Sequence, residues 1–140
     1  MTSSSAGSMA DERVAGRVLL VEDDASFAGI VARHLRARGY EVTVAPSNEA
    51  ALAALQAGYR PSIVLLDINL PGESGWSLLR SGRLAAAGSP PVFIVSATVV
   101  PPARLREFGV AGYLPKPFAL DTLLSTVERS THPDREPGEV

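Results

Sequence analysis

Residues 63–72 read Ile63-Val64-Leu65-Leu66-Asp67-Ile68-Asn69-Leu70-Pro71-Gly72. Four apolar residues in a row, with no polar alternation, predict a strand covered on both faces. Strands of that kind belong to parallel sheets, whose helical crossovers pack on either side. A carboxylate follows the run at once, and a Pro-Gly turn signal ends it. The fold therefore depends on whether helices and strands alternate on both sides of this stretch.

They do. Upstream, Val18-Leu19-Leu20-Val21 is a second buried-strand signal. Asp24 follows as an N-cap, and Phe27, Ile30, Val31 and Leu35 recur at helical spacing up to Gly39, a left-handed C-terminal position. Glu41 to Ala45 predicts a strand, and Ser47 with Ala50, Ala51 and Leu55 a short helix. Downstream, Pro71-Gly72-Glu73-Ser74 turns into one helix holding Leu78 and Leu79. Val92 to Val95 is a fourth strand, and Ala103 to Phe108 a short helix ended by Gly109. Gly112 to Leu114 is a brief fifth strand, and Leu120, Leu123, Leu124 and Val127 mark the last helix. Five strands alternating with five helices predict an α/β fold with a doubly wound five-stranded parallel sheet and helices on both faces. We place the folded domain at 16–130. The Ser/Gly/Ala-rich stretch 1–15 reads as a flexible leader and 131–140, with Pro133, Pro137 and Gly138, as a flexible tail.

In such a sheet the site lies beyond the carboxyl ends of the strands. Strand one ends in Glu22-Asp23-Asp24, strand three in Asp67, strand four in Ser96 and strand five in Pro115-Lys116-Pro117. Polar residues end many strands simply because strands end at the surface. All of these at one edge are harder to dismiss. Two carboxylates about 4 Å apart repel by roughly 4 kcal/mol at an effective dielectric of 20. A cluster of Glu22, Asp23 and Asp67 must then take up protons or a cation, and oxygen ligands of this hardness suit Mg²⁺. A carboxylate can attack phosphorus to form an acyl phosphate, a reaction that needs positioning and charge neutralisation above all. Lys116 is a second cation and Ser96 a hydroxyl donor for phosphate oxygens. The inventory suits a phosphoaspartate.

Other classes fare worse. There is no cysteine, so disulfides, thiolate metal sites and a Cys nucleophile are excluded. No Gly-rich phosphate loop of the P-loop type occurs, which argues against ATP as direct donor. His34 lies in the first helix pattern and His132 in the tail, both as surface residues, so a Ser/His/Asp hydrolase is unsupported. A net charge of -2 argues against direct nucleic-acid binding. No apolar run approaches the roughly 20 residues of a membrane span, and no secretory signal pattern opens the chain.

The stretches Val18-Leu19-Leu20-Val21-Glu22-Asp23-Asp24, Val64-Leu65-Leu66-Asp67-Ile68-Asn69-Leu70-Pro71-Gly72, Val95-Ser96-Ala97 and Gly112-Tyr113-Leu114-Pro115-Lys116-Pro117-Phe118 resemble the receiver domain of bacterial response regulators. The resemblance runs from about Gly16 to Ser130. Each motif alone is weak, and all of them in order at strand ends are highly specific. It implies the flavodoxin-like strand order 2-1-3-4-5 and a cytoplasmic switch in two-component phosphorelay signalling. Asp67 would be the phosphoacceptor. Asp23 would ligate Mg²⁺, with Glu22 as acidic partner and the backbone carbonyl of Asn69 as a further ligand. Lys116 would pair with the phosphoryl oxygens, Ser96 would swing toward them, and Tyr113 would be the aromatic switch residue. The family pattern also has Lys116-Pro117 in cis. The phosphodonor would be a histidine kinase or phosphotransfer protein, and the output a downstream effector protein. A phosphorylation-dependent homodimer is compatible with it. A receiver-like interaction module working without phosphorylation is the competing class, which intact Glu22, Asp23, Asp67, Ser96 and Lys116 disfavour.

The chain departs from the family between Ser96 and Gly109. Pro101 pushes Val100 out of the helical region, so the fourth helix is shortened. Pro102 can open that helix because its missing N–H would be unpaired there anyway. Val99 and Val100 then either pack against the last helix or form an exposed patch beside Tyr113. Trp76 reads as packing or a surface aromatic, and Tyr113 can equally be a half-buried strand aromatic.

Overall fold

The computed structural model describes residues 14–70 and 74–133. Five strands form one sheet in the order 2-1-3-4-5: β1 (Gly16–Val21), β2 (Tyr40–Ala45), β3 (Ile63–Asp67), β4 (Val92–Ser96) and β5 (Gly112–Pro115). Every pairing is parallel, with Val18 opposite Val42 and Ile63, Val64 opposite Val92, and Ile94 opposite Tyr113. The helices are α1 (Ala25–Ala37), α2 (Asn48–Gln56), α3 (Trp76–Arg80), α4 (Arg83–Ala86), α5 (Pro102–Phe108) and α6 (Leu120–Thr131).

The pleat divides the core. Val18 and Leu20 of β1, with Ile63 and Leu65 of β3, pack under α1 and α6 through Val31, Leu35, Leu123 and Val127. Leu19 and Val21, with Val64 and Leu66, face the other way under Ala51, Leu55, Leu78 and Leu84. All residues of β3 are buried, as its unbroken apolar run requires.

The punctuation read from the sequence acts as expected at most ends. Asp24 caps α1 by accepting from the Phe27 N–H at 3.1 Å. Gly39 and Gly109 take positive φ, 93° and 64°, where a β-carbon would be strained. Pro101 is extended and Pro102 opens the short α5. Four expectations need correction. The single helix expected after residue 74 is two: Gly82, at φ 76°, breaks it, and the Ser81 hydroxyl accepts from the Arg83 N–H at 3.2 Å. Ile30 is exposed, and Ala28 and Ala32 fill the inner face of α1 beside Val31 and Leu35. The last helix runs through Thr131, whose hydroxyl lies 2.8 Å from that of Tyr40. His132 is half-buried against the Tyr40 ring, and so is not a solvated tail residue.

Residues 1–13 of the expected leader, 71–73 of the expected turn and 134–140 of the expected tail lie outside the described residues. Ala15 is bonded through its N–H to the Gly39 carbonyl at 2.9 Å. No helix among the described residues is long and apolar enough to cross a membrane.

Candidate functional site

The carboxyl edge of the sheet gathers the residues singled out above. The three acids after β1 part into three roles because they point in three directions. Glu22 is buried and its Oε2 accepts from the Asp24 N–H at 3.1 Å. Asp23 is exposed, while Asp24 is used as the helix cap. Asp67 ends the central strand and is only 4% exposed. Carboxylate oxygens of Glu22, Asp23 and Asp67 lie within 4.8 Å of one another. Three hard oxygen donors at that spacing, one of them open to solvent, fit a divalent cation of the Mg²⁺ class.

Lys116 arrives from β5. Its N–H donates to the Ser96 carbonyl at 2.7 Å, so the sheet pairing runs to the site itself. Its Nζ lies 2.9 Å from Glu22 Oε1 and 3.3 Å from Asp67 Oδ2. It also sits over the Phe27 ring, 4.7 Å from the centroid. Phe27 in turn meets Phe118 edge to face at 5.7 Å. The bond between Lys116 and Pro117 is cis.

The electrostatics follow from this crowding. Burial raises the Glu22 carboxyl above the ordinary carboxylate range, and the Asp67 charge adds to that. The hydrogen bonds from Lys116 and the Asp24 N–H pull back but do not cancel it. Burial also pulls the Lys116 ammonium down, and its bond to Glu22 with the charges of Asp67 and Glu22 outweighs that, for a net rise. The site thus favours an additional cation and an extra proton on the same grounds.

Ser96 is fully buried and turned toward the β4–α5 loop. Its hydroxyl lies 2.9 Å from Asn69 Oδ1 and 2.9 Å from Thr98 Oγ1, and it accepts from the Thr98 N–H at 3.0 Å. Asn69 bridges the two halves. Its backbone N–H donates to Asp67 Oδ1 at 2.8 Å, and its side-chain oxygen also accepts from the Ala97 N–H at 3.3 Å. Tyr113 is half-buried against the cluster that holds Val100, and its hydroxyl donates to the Thr98 carbonyl at 3.0 Å. Val99 is 91% exposed and Val100 6% exposed. The two valines thus do not share one fate. Val100 packs on the α2–α4 face of the sheet rather than against α6.

The side chains of Asn69 and Thr98 and the ring of Phe27 were not legible as parts of the site. The resemblance points to the Asn69 carbonyl alone, Phe27 falls in an apolar stripe, and Thr98 sits in a loop without periodicity. Trp76 stacks on Phe108, centroids 4.9 Å apart, and is therefore packing between α3 and α5. Gly75 lies just before it, and a β-carbon there would stand 2.7 Å from the Asp67 carbonyl oxygen. Only glycine lets α3 start so close to the end of β3.

The sequence model of the response regulator receiver domain matches residues 18–128. Among curated proteins, the transcriptional activator PfeR of Pseudomonas aeruginosa is 43% identical over 110 residues, 76% of this chain and 35% of that protein. The DNA-binding response regulator MtrA of Mycobacterium tuberculosis is 36% identical over 126 residues, 89% of this chain and 54% of that protein. The chain thus spans about half or less of the length of these relatives. Among solved structures, the chemotaxis protein CheY4 of Vibrio cholerae superposes with a TM-score of 0.73 at 30% identity, over 81% of this chain and 97% of that one.

Proposed function

Because the chain belongs to the response regulator receiver domain family, we propose that it is a phosphorylation-controlled switch that takes a phosphoryl group on Asp67. One observation carries this reading: Asp67 is buried at the end of the central strand, yet paired with Lys116 and set within 4.8 Å of the Glu22 and Asp23 oxygens. A merely structural aspartate has no need of that surrounding. An Asp67 oxygen attacks phosphorus and a P–O bond forms. The bond from phosphorus to the donor, P–N for a phosphohistidine, breaks with its electron pair on the leaving nitrogen. Lys116 neutralises the incoming phosphoryl oxygens, and Ser96 donates a hydrogen bond to one of them. Glu22, Asp23, Asp67 and the Asn69 carbonyl would hold Mg²⁺, which when bound supplies further positive charge to those oxygens.

The switching residues are Ser96 and Tyr113, joined through Thr98. The receiver would span 16–130 with its last helix running on to Thr131, and would work in the cytoplasm without membrane or direct nucleic-acid contacts of its own. Its donor is a histidine kinase or phosphotransfer protein. Output passes to a downstream effector protein, or to an effector region of the kind that a transcriptional activator or DNA-binding regulator has. A homodimer formed on phosphorylation is compatible with either.

The test is intact mass after incubation with Mg²⁺ and acetyl phosphate or phosphoramidate. Wild type is expected to gain one labile phosphoryl group, Asp67→Asn none, and chelation of the metal to stop labelling. Equal labelling of Asp67→Asn would overturn the assignment.

A further inference from the structure

Ser96 has one proton to give, and both acceptors within its reach lie on the loop side: Asn69 Oδ1 at 2.9 Å and the Thr98 carbonyl at 3.0 Å. The Ala97 N–H points at one end of the Asn69 amide, which must therefore be the oxygen. The amide nitrogen then faces Thr98 Oγ1, at 3.4 Å. Thr98 Oγ1 lies 2.9 Å from Ser96 Oγ, and Ser96 Oγ 2.9 Å from Asn69 Oδ1. With the Ser96 proton on the nearer acceptor, the protons close a ring in one sense: Asn69 Nδ2–H to Thr98, Thr98 O–H to Ser96, Ser96 O–H to Asn69. Each donor is used once and each oxygen accepts. The ring holds the Ser96 hydroxyl on the loop, and none of its hydrogen bonds goes to Asp67.

We propose that the side chains of Asn69 and Thr98 are positioning residues that latch Ser96 in the resting state and set how tightly the site must bind a phosphoryl group to switch. This rests on the reading of Asp67 as phosphoacceptor and deepens it. To donate to a phosphoryl oxygen, Ser96 must withdraw its proton from Asn69, and the ring opens. The apparent affinity for a phosphoryl group is lowered by the cost of opening it, since only the unlatched form makes the full set of contacts. Thr98 is released in the same event, and its carbonyl is the partner of the Tyr113 hydroxyl. The latch thereby ties the aromatic ring to the phosphorylation state. Asn69 and Thr98 are exposed, so their replacement leaves the core intact.

The experiment titrates beryllofluoride, a phosphoryl mimic, in saturating Mg²⁺ and reads the bound species by ¹⁹F NMR. Loss of one neutral hydrogen bond from the resting ring is worth about a fivefold change in an equilibrium constant. Asn69→Ala and Thr98→Val are each expected to bind about fivefold more tightly than wild type, and Thr98→Ser, which keeps the hydroxyl, like wild type. In a Ser96→Ala background the gains from Asn69→Ala and Thr98→Val are expected to vanish, because there is no hydroxyl to latch. Unchanged or weaker binding in both single variants would overturn the latch. So would gains that survive in Ser96→Ala, which would mean these side chains touch the anion directly. If wild type binds no beryllofluoride, or Asp67→Asn binds it equally well, the phosphoacceptor reading itself fails and the latch falls with it.

Discussion

At the scale of single residues, neighbours in sequence part company. Val99 and Val100 have the same side chain and adjacent positions, and one is 91% exposed while the other is 6% exposed. Extended backbone ahead of Pro101 sends successive side chains to opposite sides, so only one of the pair can meet the sheet. Val99→Ser is therefore expected to change unfolding free energy by less than about 0.5 kcal/mol. Val100→Ser is expected to cost about 1.5–3 kcal/mol, from lost apolar burial and an added hydroxyl within the apolar cluster that Val100 belongs to. Urea unfolding of both variants checks this, and equal effects would contradict the split. Val99 is left as the apolar tip of a loop whose other side carries the Ser96 latch. The same parting occurs at Glu22, Asp23 and Asp24, which share a motif but act as buried acid, open oxygen donor and helix cap.

At the scale of elements, α5 stands out because none of its residues is fully buried. Leu105 covers part of the core, and the remainder of its hold comes from a ladder of rings and cations. Arg104 lies 5.5 Å over Trp76, Trp76 stacks on Phe108, and Arg80 lies 5.3 Å over Phe108. The stack and the two cation contacts together are worth about 1.5–3.5 kcal/mol. Phe108→Ala is expected to speed amide exchange in residues 102–109 and to shift the emission of Trp76, the chain's single tryptophan, while β1 and β3 keep their protection. Uniform loss of protection across the sheet would show that Phe108 supports the whole fold and not one helix. The short α5 was legible from Pro101, Pro102 and Gly109, since those residues act through their own backbone. The break at Gly82 was not, because a glycine inside a helical pattern costs only about 1 kcal/mol and is often tolerated. The ladder was not legible either, since its four residues come from two separate segments, one holding Trp76 and Arg80 and the other Arg104 and Phe108.

For the whole molecule, the acidic pocket is expected to link stability to pH and to metal. Burial, with the Asp67 charge, raises the folded-state pKa of Glu22. A raised carboxyl contributes stability at low pH that is lost as pH rises through the folded-state value. Lys116 is also raised, so its contribution holds through neutral pH and is lost on the alkaline side. Without metal, wild type is therefore expected to lose more melting temperature than Glu22→Gln between about pH 4.5 and pH 7. Mg²⁺ is expected to stabilise wild type more at pH 7 than at pH 5, about 2.7 kcal/mol at a hundred times its Kd, because protons compete for the same oxygens. Calorimetry in Mg²⁺ and in chelator checks both, and a metal increment that shrinks with rising pH would contradict the linkage. The order of strands and helices apart from the break at Gly82, the buried character of β3 and the carboxylates at the strand ends were determined by the sequence alone. Apolar periodicity, caps and turn residues act locally and are written along the chain. The lysine's choice of both Glu22 and Asp67, the Phe27 ring beneath it, and the closed ring of Asn69, Ser96 and Thr98 were decided only by the tertiary structure. Those contacts join separate strand ends, and their distances exist only once the parallel register sets Asp67 beside Val95 and Ser96 beside Pro115.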